Sequence, residues 1–515
     1  MGGMVITPRT STKLVKQKYS YRYSGIGTDV RFGAHGNTLV NIQRAISERV
    51  LFVPSPTGGL QACPRPLSRG YYFNVMKPFY NLIEEKVRND SSFPIQPLSD
   101  EQFCSMYSGS KKARYQEACS SLLRESVVQK DSHIRAFVKV EKINFSSKPD
   151  PAPRIIQPRT FRYQASLGKN IKHVEKPLFK IIDDIYGGPT VLKGYDCVES
   201  GRHLKNMWDT FVKPVGIGLD ASRFDQHCSV PALEWEHLVW LLLCKNKTQL
   251  KKLLSWQLKN QGASYTLEGF IKYVTNGCRM SGDMNTSSGN CLLMCAMVYC
   301  YMLSIGVSKF RLANNGDDCM LIVEEGNEKV TRAGINSFFI SLGYTMKVEP
   351  TVKEFERISF CQTSPVFDGV GYRMVRDPRV SIGKDLCSTL DLGNDKIKSM
   401  WLDAMNQGGK ALTVGIPVLN KFYNIYPLNN KHKVTKKDST LLSHQESGFS
   451  RMAGSLKFEE RIITDEARYS FWLAFGILPD TQVALENNFS QICLNRCSID
   501  NDRQEYTELS LLVEN

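Results

Sequence analysis

Apolar residues spaced three and four apart mark helices along this chain, and strict apolar/polar alternation marks strands. Leu39, Ile42, Ala45, Ile46 and Val50 share one face of a helix predicted over 38–53. Gly and Pro punctuate 54–69 as a loop. FVKVEKINF (137–145) alternates apolar with charged residues as a strand does, and Pro149, Pro151 and Pro153 break it before RIIQPR. Val215, Ile217 and Leu219 alternate as a strand ending at Asp220, and Pro231 opens a helical pattern that continues to Leu258. Residues 310–323 read as two short strands around Asn314-Asn315-Gly316-Asp317, with Asn-Gly as the turn. A helix over 329–342 and a strand over 344–348 follow. This order predicts an antiparallel sheet covered by helices, an α+β layer.

One run, CLLMCAMVYCYMLSIGV (291–307), carries no charge over 17 residues. It lies at the short edge of what spans a membrane and includes Ser304 and Gly306, so a helix buried on all sides is expected. Residues 1–27 hold five Lys or Arg, no acid and no apolar core stretch, which reads as a flexible basic arm over 1–25 rather than a signal peptide. Fifteen cysteines without a CxxC pair suggest neither a disulfide framework nor a zinc ribbon. The i, i+4 pairs Cys291/Cys295 and Cys493/Cys497 read as small hydrophobes.

With 515 residues, 42% hydrophobic and 23% charged, the chain is long enough for several cores and is not disordered throughout. Its net charge of +15 is concentrated. The arm contributes +5, residues 135–180 contribute +8 from eleven cations against three acids, and Lys431, Lys433, Lys436 and Lys437 contribute +4, leaving −2 elsewhere. In the 135–180 stretch Phe137, Phe145, Phe161 and Tyr163 are interleaved with the cations, a composition suited to phosphate contact and base packing. The pattern points to a polyanionic partner.

Three acidic or small polar segments carry candidate chemistry: GLDASRFDQ (218–226), SGDMNTSSGN (281–290) and NGDDCMLIV (315–323). Each alone is ordinary turn chemistry. Together, adjacent carboxylates Asp317 and Asp318 on a tight turn and Asp220 ending a neighbouring strand would converge as oxygen ligands at one end of a sheet. Such a set suits Mg²⁺, and two ions can support in-line phosphoryl transfer.

In order and spacing, D-x4-D, SG-x3-T-x3-N and GDD resemble motifs A, B and C of viral RNA-dependent RNA polymerases. With RFGAHGNTL, RAISERV and PRIIQPR upstream, the strings most resemble polymerases of plant viruses in the Tombusviridae, including dianthovirus, umbravirus and carmovirus relatives. Motif-level similarity spans 31–366, and nothing is matched motif by motif from about 385. The resemblance implies a right-hand fold: fingers at 26–213 and 233–280, palm at 214–232 (motif A) and 281–370 (motifs B to E), and a mainly helical thumb at 371–515. It implies Asp220 and Asp317 as principal metal ligands assisted by Asp318, with two Mg²⁺ for which Mn²⁺ can substitute. Asp225, Ser281, Thr286 and Asn290 would sense the ribose 2′-hydroxyl and place the nucleotide, and Gly282 and Gly289 would lend the loop backbone freedom. The 135–165 stretch resembles motif F, with Arg154, Lys139, Lys142, Arg159 and Lys148 over the triphosphate. Lys347 matches the motif D proton donor, and ISFCQTSPV (358–366) resembles the motif E hairpin.

The expected reaction is attack of an RNA 3′-hydroxyl on a nucleoside triphosphate, directed by an RNA template. A reverse transcriptase would usually place an aromatic gate where Asp225 stands; a non-catalytic RNA-binding scaffold would not need four acids at these spacings. The resemblance further implies an upstream auxiliary replicase protein as partner and host cytoplasm as location, at membrane-associated replication complexes reached through partners.

Overall fold

The computed structural model describes residues 2–10, 19–22, 32–147, 149–388, 390, 392, 394–430, 456–492, 494–498 and 509–511. Its central sheet runs Phe310–Asn315, Asp318–Glu324, Pro214–Ala221, Met346–Val348, antiparallel throughout. The Pro214–Ala221 strand is interior, and of its eight residues only Asp220 is exposed. Period-two alternation sends the side chains of the sheet to two different cores. Val215, Ile217 and Leu219 join Leu312, Leu321 and Val323 in a core closed by the helices Arg69–Arg88, Glu175–Tyr186, Val230–Leu243 and Thr286–Ser304. Ala313, Met320 and Ile322 face the other way, toward the helices Cys197–Trp208, Asp395–Leu412 and Asp465–Phe475. A second sheet, in the order Gly3–Pro8, Gly269–Asn276, Lys259–Thr266, Ile134–Arg135, packs on the helix Leu39–Ile46.

The uncharged run forms the Thr286–Ser304 helix, among the described residues the one helix long and apolar enough to cross a membrane. It lies instead inside the first core, where Leu292, Leu293, Met294 and Met297 are wholly buried. Removing each such side chain from water contributes roughly 1.5–3 kcal/mol. The thirteen cysteines from Cys63 to Cys387 are free, and most are buried as small apolar groups. Cys493 and the basic residues Lys148, Lys431, Lys433, Lys436 and Lys437 lie outside the described residues.

Several expectations change. Within the arm Gly3–Pro8 is a strand, paired residue for residue with 269–274, whereas residues 11–18, with Lys13, Lys16 and Lys18, and 23–25 lie outside the described residues. The helix expected from Pro231 to Leu258 is two, Val230–Leu243 and Lys247–Ser255, because Cys244 turns extended and its neighbours bond to Ile95. The 329–342 helix breaks at Gly334, and the 137–145 strand survives only as Phe137–Val138 and Ile143–Asn144. The hairpin near 358–366 begins later, pairing Thr363–Phe367 with Tyr372–Arg376.

Candidate active site

Asp220 is directly opposite Asp318 in the sheet register and opposite Lys347 on its other side. Residues so paired point to the same face, so two acids and a lysine share one end of the sheet. The turn that presents Asp317 is held by buried Asn314, whose Oδ1 accepts from the Gly316 N–H at 3.2 Å and whose Nδ2 donates to the Gly316 carbonyl at 2.7 Å. Gly316 adopts φ of +86°, where a side chain would be strained.

The acids sense one another. Crowding by protein, then the charges of Asp225 and Asp220, raises the Asp317 carboxyl above its ordinary value, and Arg154 opposes the rise. Asp318 is pushed up to about 6, first by burial and then by Asp317, Asp220 and Glu349, although its carboxylate accepts the Cys361 N–H at 2.8 Å. Four predicted acids thus converge, joined by Glu349, which the sequence reading missed. Its position two residues after Lys347 on an alternating strand was the available signal. The Lys347 ammonium is exposed and lies 3.5 Å from Glu349.

Asp225 sits in the short helix Phe224–His227, entered through Arg223 at φ of +50°. Its Oδ1 accepts Asn290 Nδ2 at 2.7 Å. Thr286 donates its hydroxyl to the Met280 carbonyl at 2.9 Å, closing the 281–286 turn. The loop is pinned to the basic segment: the Ser281 carbonyl accepts from Gln157 N–H at 2.7 Å, and the Gly282 carbonyl accepts from Gln164 Nε2 at 2.7 Å. Gly282, at φ of +129°, has the backbone freedom expected of it. Gly289 does not: it is helical, and a Cβ there would stand 2.5 Å from Glu236 Oε1 and 2.6 Å from Arg279 Nη2. It is a close-packing glycine over a buried ion pair.

In the basic segment, Lys139 and Arg154 both reach Glu141, at 2.7 and 3.2 Å, and Arg154 lies within electrostatic range of Asp317. Lys142 faces Lys384, and burial, with Arg376 and Lys142 adding to it, lowers that lysine to about 8. Arg159 is a correction. Its guanidinium is buried, bonded to Asp283 at 2.5 Å, Asn260 at 2.7 Å and the Ser132 carbonyl at 2.7 Å, so it anchors the 281–290 loop and has no surface to offer a phosphate.

No group of three His, Cys, Asp or Glu among the described residues is already in ligating geometry. The donor set is nevertheless all carboxylate oxygen, and the neighbouring acids add to burial in raising Asp317 and Asp318, a cluster of like charge that fits a hard divalent cation. Clustered acids thus stand at a sheet end, beside a basic strip. The chain belongs to the viral RNA dependent RNA polymerase family, whose model matches residues 4–496, well past the region where motifs were legible. It is 44% identical over 497 residues to the RNA-directed RNA polymerase of Tobacco necrosis virus (strain D), covering 95% of this chain and 66% of that protein. It is 42% identical to that of Cymbidium ringspot virus (95% and 58%) and 40% identical to that of Turnip crinkle virus (93% and 60%). The chain thus spans less than two thirds of these relatives' length. The family implies a right-hand polymerase fold, which the mixed helices and sheets fit, and its members generally use divalent metal ions.

Proposed function

We propose that this chain is an RNA-directed RNA polymerase that replicates a positive-strand RNA genome by joining nucleoside triphosphates to an RNA 3′-hydroxyl. The observation that carries the reading is the in-register pairing of Asp220 with Asp318, with Asp317 on the adjoining turn and Asp225 close enough to raise it. Asp220 and Asp317, assisted by Asp318, would hold Mg²⁺, or Mn²⁺ in its place. When bound, the metal supplies activation of the attacking hydroxyl and charge neutralisation on the departing oxygens.

The chain's own residues do the rest. Arg154 and Lys139, exchanging Glu141 for phosphate oxygens, and Lys142 attract and align the triphosphate. Asp225 and Asn290 present a carboxylate and an amide to the ribose 2′-hydroxyl, and Ser281, Gly282 and Thr286 shape the loop beneath it. Lys347, opposite Asp220, holds the proton delivered to the departing pyrophosphate. A carboxylate at 225, rather than an aromatic ring, favours ribonucleotides and argues against reverse transcription.

In this reading residues 214–232 and 281–376 form the palm, extended to 376 because the 363–376 hairpin is one unit; 26–213 and 233–280 form the fingers, and 377–515 the thumb. The partners are template and product RNA, nucleoside triphosphates and an auxiliary replicase protein that brings the chain to membrane-associated complexes in host cytoplasm. Purified chain given single-stranded RNA, Mg²⁺ and labelled nucleoside triphosphates is expected to make template-length product, and Asp317→Ala none. Equal product from both would overturn the reading, and RNA binding without synthesis by the unsubstituted chain would favour a scaffold.

A further inference from the structure

We infer that the buried pair Arg279 and Glu236 sets the preference for ribonucleotides by fixing the Asn290 amide, an inference that rests on the role proposed above for Asp225 and Asn290. A guanidinium has donors only. Arg279 Nε donates to Asn290 Oδ1 at 3.1 Å, which forces the amide nitrogen to the other side, where it donates to Asp225 Oδ1 at 2.7 Å. Turned over, the amide would set donor against donor and acceptor against acceptor. The Arg279 backbone N–H also donates to the Asp225 carbonyl at 2.7 Å, so one residue grips both members of the pair.

Arg279 is held in turn. It is 2% exposed and ion-paired with Glu236, which is fully buried. Glu236 Oε1 accepts Trp240 Nε1 and Asn285 Nδ2, both at 2.8 Å, and Asn285 Oδ1 accepts Gln257 Nε2 at 2.9 Å. Every link is a buried side chain, and Gly289 leaves the space the ion pair occupies. Well-packed apolar residues of similar volume often replace a buried ion pair without loss of stability, so packing alone is a weak reason for the pair here. The orientation of Asn290 supplies another. Arg279 and Glu236 are positioning residues, the first acting through Asn290 and the second through Arg279.

The test is the ratio of kcat/KM for a nucleoside triphosphate to that for its 2′-deoxy counterpart, a ratio that does not change with the fraction of folded enzyme. Arg279→Lys, which keeps the charge and loses the fork, is expected to lower the ratio about tenfold, the value of one misplaced hydrogen bond, with kcat/KM for the deoxynucleotide little changed. Glu236→Gln, which keeps the volume, is expected to lower it less, and it carries the same readings should Arg279→Lys yield no soluble protein. Asn290→Ala and Asp225→Ala are expected to collapse the ratio, and adding Arg279→Lys to Asn290→Ala to change it no further. A ratio unmoved by Asn290→Ala and Asp225→Ala would overturn the ribose role itself. A ratio that collapses in those two yet stays unchanged in Arg279→Lys and Glu236→Gln, or an additive loss in the double variant, would overturn this inference alone.

Discussion

Asp220 and Asp318 stand directly opposite each other on adjacent antiparallel strands, an arrangement that places their Cβ atoms about 4.5–5.5 Å apart. Like charges so placed are destabilising unless something else neutralises them, so this end of the sheet is arranged against its own stability. Asp220→Asn is therefore expected to melt at the same temperature or higher while template-directed incorporation falls about 10³-fold, several kcal/mol of transition-state stabilisation. Activity and melting temperature measured on one preparation check this. A parallel fall in both would make Asp220 a structural residue.

Asp318 gives the pH dependence. Its carboxyl, ordinarily near 3.8, is pushed up to about 6, first by burial. The folded chain thus holds a proton that the unfolded chain has released, and without metal it loses stability as pH rises from about 4 to 6. Asp318→Asn removes that penalty: the variant is expected to match the parent near pH 4 and to melt higher at pH 7. Protons also compete with a cation for the same oxygens, so the rise in melting temperature given by Mg²⁺ is expected to fade as pH falls through 6. Thermal melts from pH 4 to 8, with and without Mg²⁺, report both effects.

What the sequence made legible was local. Alternation at Val215, Ile217 and Leu219 and the Asn315-Gly316 turn placed three of the acids, and the absence of charge from 291 to 303 marked a helix that the core surrounds. What it hid was set by partners far along the chain. Arg159 was expected over the triphosphate because its segment resembles motif F, but its partner Asp283 is 124 residues away. Cys244 leaves the helix for a bridge to Ile95, and the arm becomes a strand because Gly269–Asn276 offers it an edge. Gly289 lies in a flexible-looking motif, and only the packing of Glu236 and Arg279 against it gives the reason for glycine.

Two arginines five residues apart are expected to fail in opposite ways. Arg159→Ala strands Asp283 as an unpaired buried carboxylate, which costs about 3–5 kcal/mol and lowers the melting temperature before any kinetic effect is measurable. Arg154 is exposed, and its ion pair with Glu141 contributes about 0–1 kcal/mol. Arg154→Ala is expected to leave melting unchanged, to raise KM for the nucleoside triphosphate about tenfold, and to weaken the dependence of KM on salt. If Arg159→Ala melted normally and raised KM instead, the buried assignment would be wrong.

The last expectation separates two glycines of one loop. Gly282 is at positive φ, with Pro158 N 3.2 Å from where a Cβ would stand, so Gly282→Ala strains the backbone itself. Gly289 has ordinary helical geometry, and its Cβ would meet only the side chains of an ion pair. Gly289→Ala is therefore expected to cost about 1–3 kcal/mol of overpacking. Shortening the obstructing acid should relieve it: in the Glu236→Asp background the same glycine change is expected to cost markedly less, whereas Gly282→Ala should cost the same in either background. Chemical denaturation of the parent, the three single variants and the two double variants measures both coupling energies. A coupling confined to the Gly289 pair means that this glycine makes room for a charge pair; equal coupling, or none, means that the glycine is there for the freedom of the backbone.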